Sequence, residues 1–299
     1  MTKKEKQRLI KGILTVVCLG ILAVLWWFVY GPGQRESYEI PNGQAQFHFI
    51  DVGQGDATLI KVGDKNILID TGKKSAAEDL FGYLDANGVS EIEYFVVTHY
   101  DADHFDNAVG VLDTYDVKKV LVPDQVKTTD VYERFISKLE EQTKSKDIEV
   151  LCANDMIGTK LDIAGLELTV LAPLKDNYED SNDYSICLMA RFGNKRVLLT
   201  GDAEREAEED IVAKYKGTEL DCDVYKMGHH GSSTSSSKAL LDKATPEIVI
   251  FSCGVGNKYG HPHREALERV NGLTGYRTDT QGDIVLCIEN DTISVTTEK

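Results

Sequence analysis

Nowhere in the 299 residues do two cysteines stand in C-x-x-C spacing, so the chain lacks the paired thiols that build a small zinc finger or ribbon. Of its six cysteines, Cys18 lies inside an apolar run, leaving an odd five: Cys152, Cys187, Cys222, Cys253 and Cys287. Three of these sit in apolar stretches ("SICLMA", "VIFSCG", "IVLCIE"), where a small buried thiol is the expected state, and no disulfide framework is assigned. Positive charge is also scarce. The formal net charge is −16, and removing the +4 carried by residues 1–11 leaves −20 on the rest. A field of that sign repels polyanions at long range and excludes a general basic patch for nucleic acid. Any anionic substrate must be drawn in locally, by bound metal or a small cationic pocket. A P-loop lysine is missing too: "GHHGSSTSS" offers backbone donors and small hydroxyls, beginning at Ser232, without the nucleoside-triphosphate fingerprint. What the chain does have is 42% hydrophobic residues, ample for a continuous core and incompatible with a disordered chain.

The N-terminus stands apart. "MTKKEKQRLIK" is basic, and the next 19 residues, Gly12 to Tyr30, carry no charge. At ~1.5 Å per residue they span ~28 Å, close to the hydrocarbon thickness of a bilayer. A cleaved signal peptide is the competing reading, but "LWWFVYGPG" has no small-residue cleavage site, and Trp26, Trp27 and Tyr30 fit an aromatic belt. The expectation is a basic cytoplasmic segment (1–11), a single transmembrane anchor (12–30), a polar linker (31–43) and one extracytoplasmic domain (44–299) in the cell membrane.

Within 44–299 the apolar runs alternate with helical patterns. "AQFHFIDVG", "ATLIKVG" and "KNILIDTG" read as strands, the latter two joined by a Gly-Asp turn, and "SAAEDLFGYLDANGV" as a helix ending at Asn-Gly. Strand and helix then recur to the C-terminus, which predicts a layered α/β architecture. His48 alternates with Phe47 and Phe49 and is read as structural.

Chemistry concentrates at strand ends. "THYDADHFDN" follows the apolar run "EYFVV" and places His99, Asp101, Asp103 and His104 within six residues. Neutral imidazoles and carboxylates both ligate divalent metals. A solvated acidic turn would be the better explanation if this cluster were alone. It is accompanied by "LIDTG" (Asp70), "LLTGDAE" (Asp202), "KMGHHGS" (His229, His230) and "YGHPH" (His261, His263), so six of the seven histidines fall in three loops.

Taken together, "FIDVGQGDATLI", "ILIDTG", "VVTHYDADH", "RVLLTGDAE", "KMGHHGSSTS" and "YGHPH" resemble, in order, the metallo-β-lactamase-fold hydrolases. The similarity is greatest to the extracellular hydrolase domain of the ComEC/Rec2 DNA-uptake proteins. The resemblance implies a four-layer αββα sandwich with a metal cleft at the edge where loops of the two sheets meet. It implies that His99 and Asp101 hold one metal, that Asp103 and His104 hold a second, and that Asp202 bridges them. One histidine of the "HHGS" pair completes the second site; His230 is assigned, with His229 turned toward substrate. Asp70 would orient the histidine-rich loop, and Asp51, Gln54 and Asp56 would shape the cleft floor.

Two departures bear on the metal. Asp101 stands where the wider superfamily has histidine, and "SNDYS", with Asn182, Asp183 or Ser185, occupies the region of another histidine ligand. Exchanging nitrogen for oxygen ligands moves the preference from Zn2+ toward Mn2+ and weakens the first of two divalent sites. The implied activity is metal-dependent phosphodiester hydrolysis, on DNA or a smaller molecule, with Asp103 among the carboxylates that orient water. His229, His261 and His263 are the candidates for phosphate contact or leaving-group protonation, and His229 and His263 are taken as catalytic. Hydrolysis of a small ester, such as a phosphocholine-type diester or a lactone, and a non-catalytic metal-binding accessory role are the alternatives. Membrane contact is expected through the N-terminal helix, and no protein partner is inferred.

Overall fold

A computed structural model describes residues 40–41, 43–145 and 148–299. The expected anchor, the basic segment before it and most of the linker lie outside these residues. Among the described residues, no helix is long and apolar enough to cross a membrane.

The strands alternate in which face they bury. Tyr94 and Val96 point to one side of their strand and Phe95 to the other, the period of two that pleated backbone imposes. The result is two sheets. The first contains β1 (Gln44–Phe49), β2 (Thr58–Val62), β3 (Lys65–Ile69), β4 (Glu91–Val96), β5 (Asp116–Val122) and β6 (Glu149–Cys152). The second contains β7 (Lys160–Ile163), β8 (Leu166–Ala172), β9 (Cys187–Phe192), β10 (Lys195–Leu199), β11 (Val224–Lys226), β12 (Ile248–Phe251) and β13 (Thr274–Arg277). The chain then returns to the first sheet through β14 (Ile284–Glu289) and β15 (Thr292–Thr297). Strand orders are β15-β14-β1-β2-β3-β4-β5-β6 and β13-β12-β11-β10-β9-β8-β7. The predicted Gly-Asp hairpin is present as the antiparallel β2–β3 pair. Two short strands, β6 and β13, were not foreseen.

Between the sheets, Phe47, Phe49, Ile60 and Val96 pack with Leu168, Val170, Leu188 and Val197 in one core. Each such fully buried side chain contributes about 1.5–3 kcal/mol. The opposite face of the first sheet, through Leu59, Leu68 and Phe95, is covered by Leu80 and Leu84 of α1 (Ala77–Ala86). After the single turn α2 (Ala102–Phe105), α3 (Ala108–Thr114) and α4 (Asp130–Ser145) extend that cover with Leu112, Phe135 and Leu139. The outer face of the second sheet packs Tyr225, Met227 and Phe251 against α5 (Arg205–Lys214), α6 (Lys238–Ala244) and α7 (Arg264–Arg269). Helix, sheet, sheet and helix therefore form four layers, as the resemblance implies. β3, β4 and β5 are mutually parallel, as are β10, β11 and β12, so each sheet presents a row of carboxyl ends, where α/β folds gather their ligands.

Candidate metal centre

Each clustered loop leaves such a carboxyl end. Asp70 follows β3, His99 to His104 follow β4, Asp202 follows β10, and His229 and His230 follow β11. The loops converge: ligand atoms of Asp56, His104, Asp202 and His230 all lie within 4.8 Å of one another, and all four residues are buried.

Backbone geometry sets their directions. Asp70, His229 and His230 have left-handed conformations, with φ of 60°, 48° and 56°. Such conformations are costly for residues other than glycine and persist only where the surroundings over-determine them. Around the histidine pair that support includes Gly231, where a Cβ would lie 2.6 Å from Pro262 Cβ. Gly55 serves the "DVGQGD" loop in a similar way. A Cβ there would lie 2.4 Å from the Asp103 carbonyl oxygen, and the adjoining Asp56 amide donates to that oxygen at 2.9 Å. The first loop is thereby pressed onto the histidine-rich loop, which carries Asp56 into the cluster. The sequence places Asp56 in the cleft floor; the structure puts it among the potential ligands, with Oδ2 accepting from the buried Lys226 ammonium.

His104 donates from Nδ1 to Asp70 Oδ2 at 2.7 Å, while Asp70 also accepts from the Thr98 amide at 2.8 Å and hydroxyl at 2.6 Å. His230 donates from Nδ1 to the Ser252 carbonyl at 2.9 Å. Both rings are left with Nε2 facing inward, 3.3 Å from each other. Asp202 lies 3.1 Å from the His104 Nε2 and 3.4 Å from the His230 Nε2. Burial opposes charge on His104, yet Asp202 and Asp70 raise its pKa well above the ordinary value. Burial likewise opposes ionisation of Asp202 and Asp103, but the neighbouring histidines hold both carboxyls below the usual range. The local field favours a cation. Among the described residues, buried Asp56 Oδ1, Asp202 Oδ1 and His99 Nε2 have no hydrogen-bond partner, and carboxylate oxygen and imidazole nitrogen are atoms that a divalent ion would satisfy.

The remaining predicted residues divide. Asp103 sits at the rim, 3.7 Å from the His230 Nε2. His99 packs its ring 4.2 Å from that of His104, and burial, then His104, lowers its pKa to about 4. Ser185 lies 3.4 Å from the His99 Nδ1 and accepts from the Asp202 amide. Asp101 is instead held by Lys127 at 3.2 Å and Ser181 at 2.9 Å. Asn182 turns to Glu204, not to the cluster. His229 donates from Nδ1 to Glu204 at 2.9 Å and points Nε2 at Asp202 Oδ2, 3.6 Å away. Although burial opposes it, the Glu204 contact raises the His229 pKa. His261 is bound by Gln54 and its pKa is lowered to about 4, by burial and then by His230.

Two expectations need correction. His263 spends Nδ1 on the Ser233 amide and Nε2 on the Tyr259 carbonyl, so it braces the loop and keeps neither nitrogen for substrate. Asp51 lies against Asp283 and Lys299 at the C-terminal strands. Ser232 is buried with its hydroxyl on Thr234. The serine tract as a whole is fixed rather than loose, because Glu208 accepts from the amides of Ser236 and Ser237 and Arg269 caps the carbonyls of Ser233 and Ser235. Glu204, Lys226, Lys73 and Lys127 went unnoticed in the sequence. Glu204 and Lys226 lay inside motifs already recognised, "LLTGDAE" and "KMGHHGS".

The family model of the metallo-beta-lactamase superfamily matches residues 50–255. ComE operon protein 3 of Bacillus subtilis is 27% identical over 267 residues, 83% of this chain and 33% of that protein. Recombination protein 2 of Haemophilus influenzae is 32% identical over 231 residues, 76% of this chain and 26% of that protein. Competence protein ComA of Neisseria gonorrhoeae is 30% identical over 248 residues, 81% of this chain and 32% of that protein. The chain thus spans a third or less of the length of these relatives. Matched across most of its described fold, with its Asp and His residues gathered at one sheet edge, the chain belongs to the metallo-beta-lactamase superfamily and is similar to the ComEC/Rec2 proteins within it.

Proposed function

We propose that this chain is a membrane-anchored, extracytoplasmic, divalent-metal-dependent phosphodiesterase acting on DNA. The observation that carries the metal dependence is the facing pair of imidazole Nε2 atoms beside Asp202, each ring held in place by a fixed partner on its other nitrogen. Two of the relatives' names, which speak of recombination and competence, support DNA as substrate.

His104, His230, Asp202 and Asp56 would hold one ion, and His99 and Asp101 with Asp202 a second. Such ions supply Lewis acidity toward a water and a phosphoryl oxygen. The chain's own residues do the rest. Asp103, ionised and partly exposed at the rim, is placed to take a proton from the attacking water. Glu204 favours the protonated form of His229, which is placed to deliver a proton from Nε2 to the leaving oxygen. Lys73 lies 3.8 Å from Asp103, and Lys127 lies beside Asp101, so two cations flank the cluster and offset the acidic surface where the phosphate must enter.

The full chain, purified in detergent and assayed across Mn2+, Zn2+ and Mg2+, is expected to hydrolyse bis-(p-nitrophenyl) phosphate and DNA, with Mn2+ most effective. Turnover of the small diester alone would move the reading to a small-ester hydrolase, and no turnover with any ion would leave a metal-binding accessory role. Proteolysis of intact cells or spheroplasts is expected to remove the domain; protection of residues beyond Gly31 would contradict the proposed topology.

A further inference from the structure

The loop between β12 and α7 exposes two large apolar side chains, Val255 and Tyr259, and the second is set apart by what surrounds it. Tyr259 is 46% exposed, and among the described residues its hydroxyl makes no hydrogen bond. The ring is nevertheless held. Its backbone carbonyl accepts from His263 at 3.0 Å, and Asn257 ties the loop to Gly254 and His261. On one side the ring stacks near His261, with centroids 5.7 Å apart and planes 23° apart. Two ammonium groups approach it, Lys258 at 4.9 Å and Lys73 at 5.5 Å from the centroid. Lys73 also lies 3.8 Å from Asp103, which ties the ring to the rim of the metal centre.

We infer that Tyr259, with Lys73 and Lys258, is a stacking platform for one unpaired nucleobase adjoining the scissile phosphodiester; the inference rests on the DNA-directed reading above. The half-exposed ring has His261 near one side and the two ammonium groups over it, and it offers a base a π-face once those flexible lysine side chains swing out to the phosphates. Flanking ammonium groups hold the phosphates on either side of that base, the combination by which single strands are bound without sequence preference. Bases stacked inside a duplex cannot use the ring, so the platform selects for strands with a free base at this position. The acidic surface elsewhere confines this attraction to the cleft.

The test is fluorescence anisotropy with the full chain in detergent and Mn2+, comparing a labelled phosphorothioate oligothymidylate with an abasic strand of equal length. The wild type is expected to bind the base-bearing strand about tenfold more tightly. Tyr259→Ala is expected to abolish that preference while leaving the abasic Kd unchanged, and Tyr259→Phe to retain it. Lys258→Gln is expected to weaken both strands and to lower the salt dependence of binding by about one counterion. Equal wild-type affinity for both strands, or parallel weakening of both by Tyr259→Ala, would overturn the platform. Should Tyr259→Ala fold poorly, Tyr259→Leu and the wild-type comparison decide the matter. Cleavage of an unmodified strand, measured alongside, separates the two ideas. Cleavage without base preference removes the platform alone, and base preference without cleavage removes the nuclease reading alone.

Discussion

The Nε2 atoms of His104 and His230 face one another at 3.3 Å across the junction of the two sheets. Because each Nδ1 donates to a fixed acceptor, the inward nitrogens carry lone pairs unless a proton or a cation lies between them. Two facing lone pairs repel; a shared cation removes the repulsion and uses the Asp202 charge beside them. The pairing is assembled from a loop after β4 and a loop after β11, so it exists only when both sheets are in place.

Asp70 controls one half of that pair. Its two oxygens accept from the Thr98 amide and hydroxyl and from His104, and an amide side chain cannot accept on both sides. Asp70→Asn is therefore expected to weaken metal affinity about 10- to 100-fold, as loss of an orienting partner typically does. Competition with a chelating dye measures this, and an unchanged affinity would show that Asp70 does not set the His104 ring.

Asp56 and Lys226 form an ion pair with both side chains almost fully buried, joining the loop after β1 to the end of β11. Removing one member leaves the other charged and unpaired in the interior. Lys226→Met is expected to destabilise the fold by about 3–5 kcal/mol, with part of the loss recovered by adding Asp56→Asn. Urea unfolding in the presence of chelator tests this, and a change under about 0.5 kcal/mol would place the pair among surface-like contacts.

Glu208 is buried beneath the serine tract, and burial pushes its pKa up to about 7 despite the bonds from Ser236 and Ser237. Between the ordinary carboxylate range and about 7 the folded chain retains a proton that the unfolded chain has released, so stability falls as pH rises through that window. His48 runs the other way: burial, then Lys61, lowers its pKa to about 4, and stability falls as pH drops from its ordinary value of 6.5 toward that point. Comparing wild type with Glu208→Gln in urea isolates the first effect. The difference between the two proteins is expected to shift by about 3 kcal/mol across the window. A difference independent of pH would mean that Glu208 stays ionised.

Much of this was legible in the sequence because the chemistry sits where apolar runs stop. A strand end fixes the location of Asp70, His104, Asp202 and His230; the structure gathers the last three around one point with Asp56 and sets Asp70 behind His104. What stayed hidden depends on tertiary contact. Nothing in the sequence distinguishes Lys73, Lys127 or Lys226 from surface lysines until a carboxylate is brought beside each. Asp56 was placed in the cleft floor because its motif gave a neighbourhood and not a direction, which comes from the contact between Gly55 and Asp103. His263 was misjudged because a histidine in a proline-fixed loop looks available, whereas the fold turns both its nitrogens onto backbone groups. β6 and β13 escaped notice because their half-exposed faces lack the apolar alternation of their neighbours.

Side chains from both sheets converge where they would grip divalent ions. Equilibrium dialysis of the folded full chain against Mn2+ or Zn2+, followed by elemental analysis, tests it most directly. About two ions per chain are expected at saturation, with near-complete loss of the tighter one in His230→Ala and Asp202→Asn chains that still fold. A correctly folded wild type that retains no ion at saturating metal would contradict it.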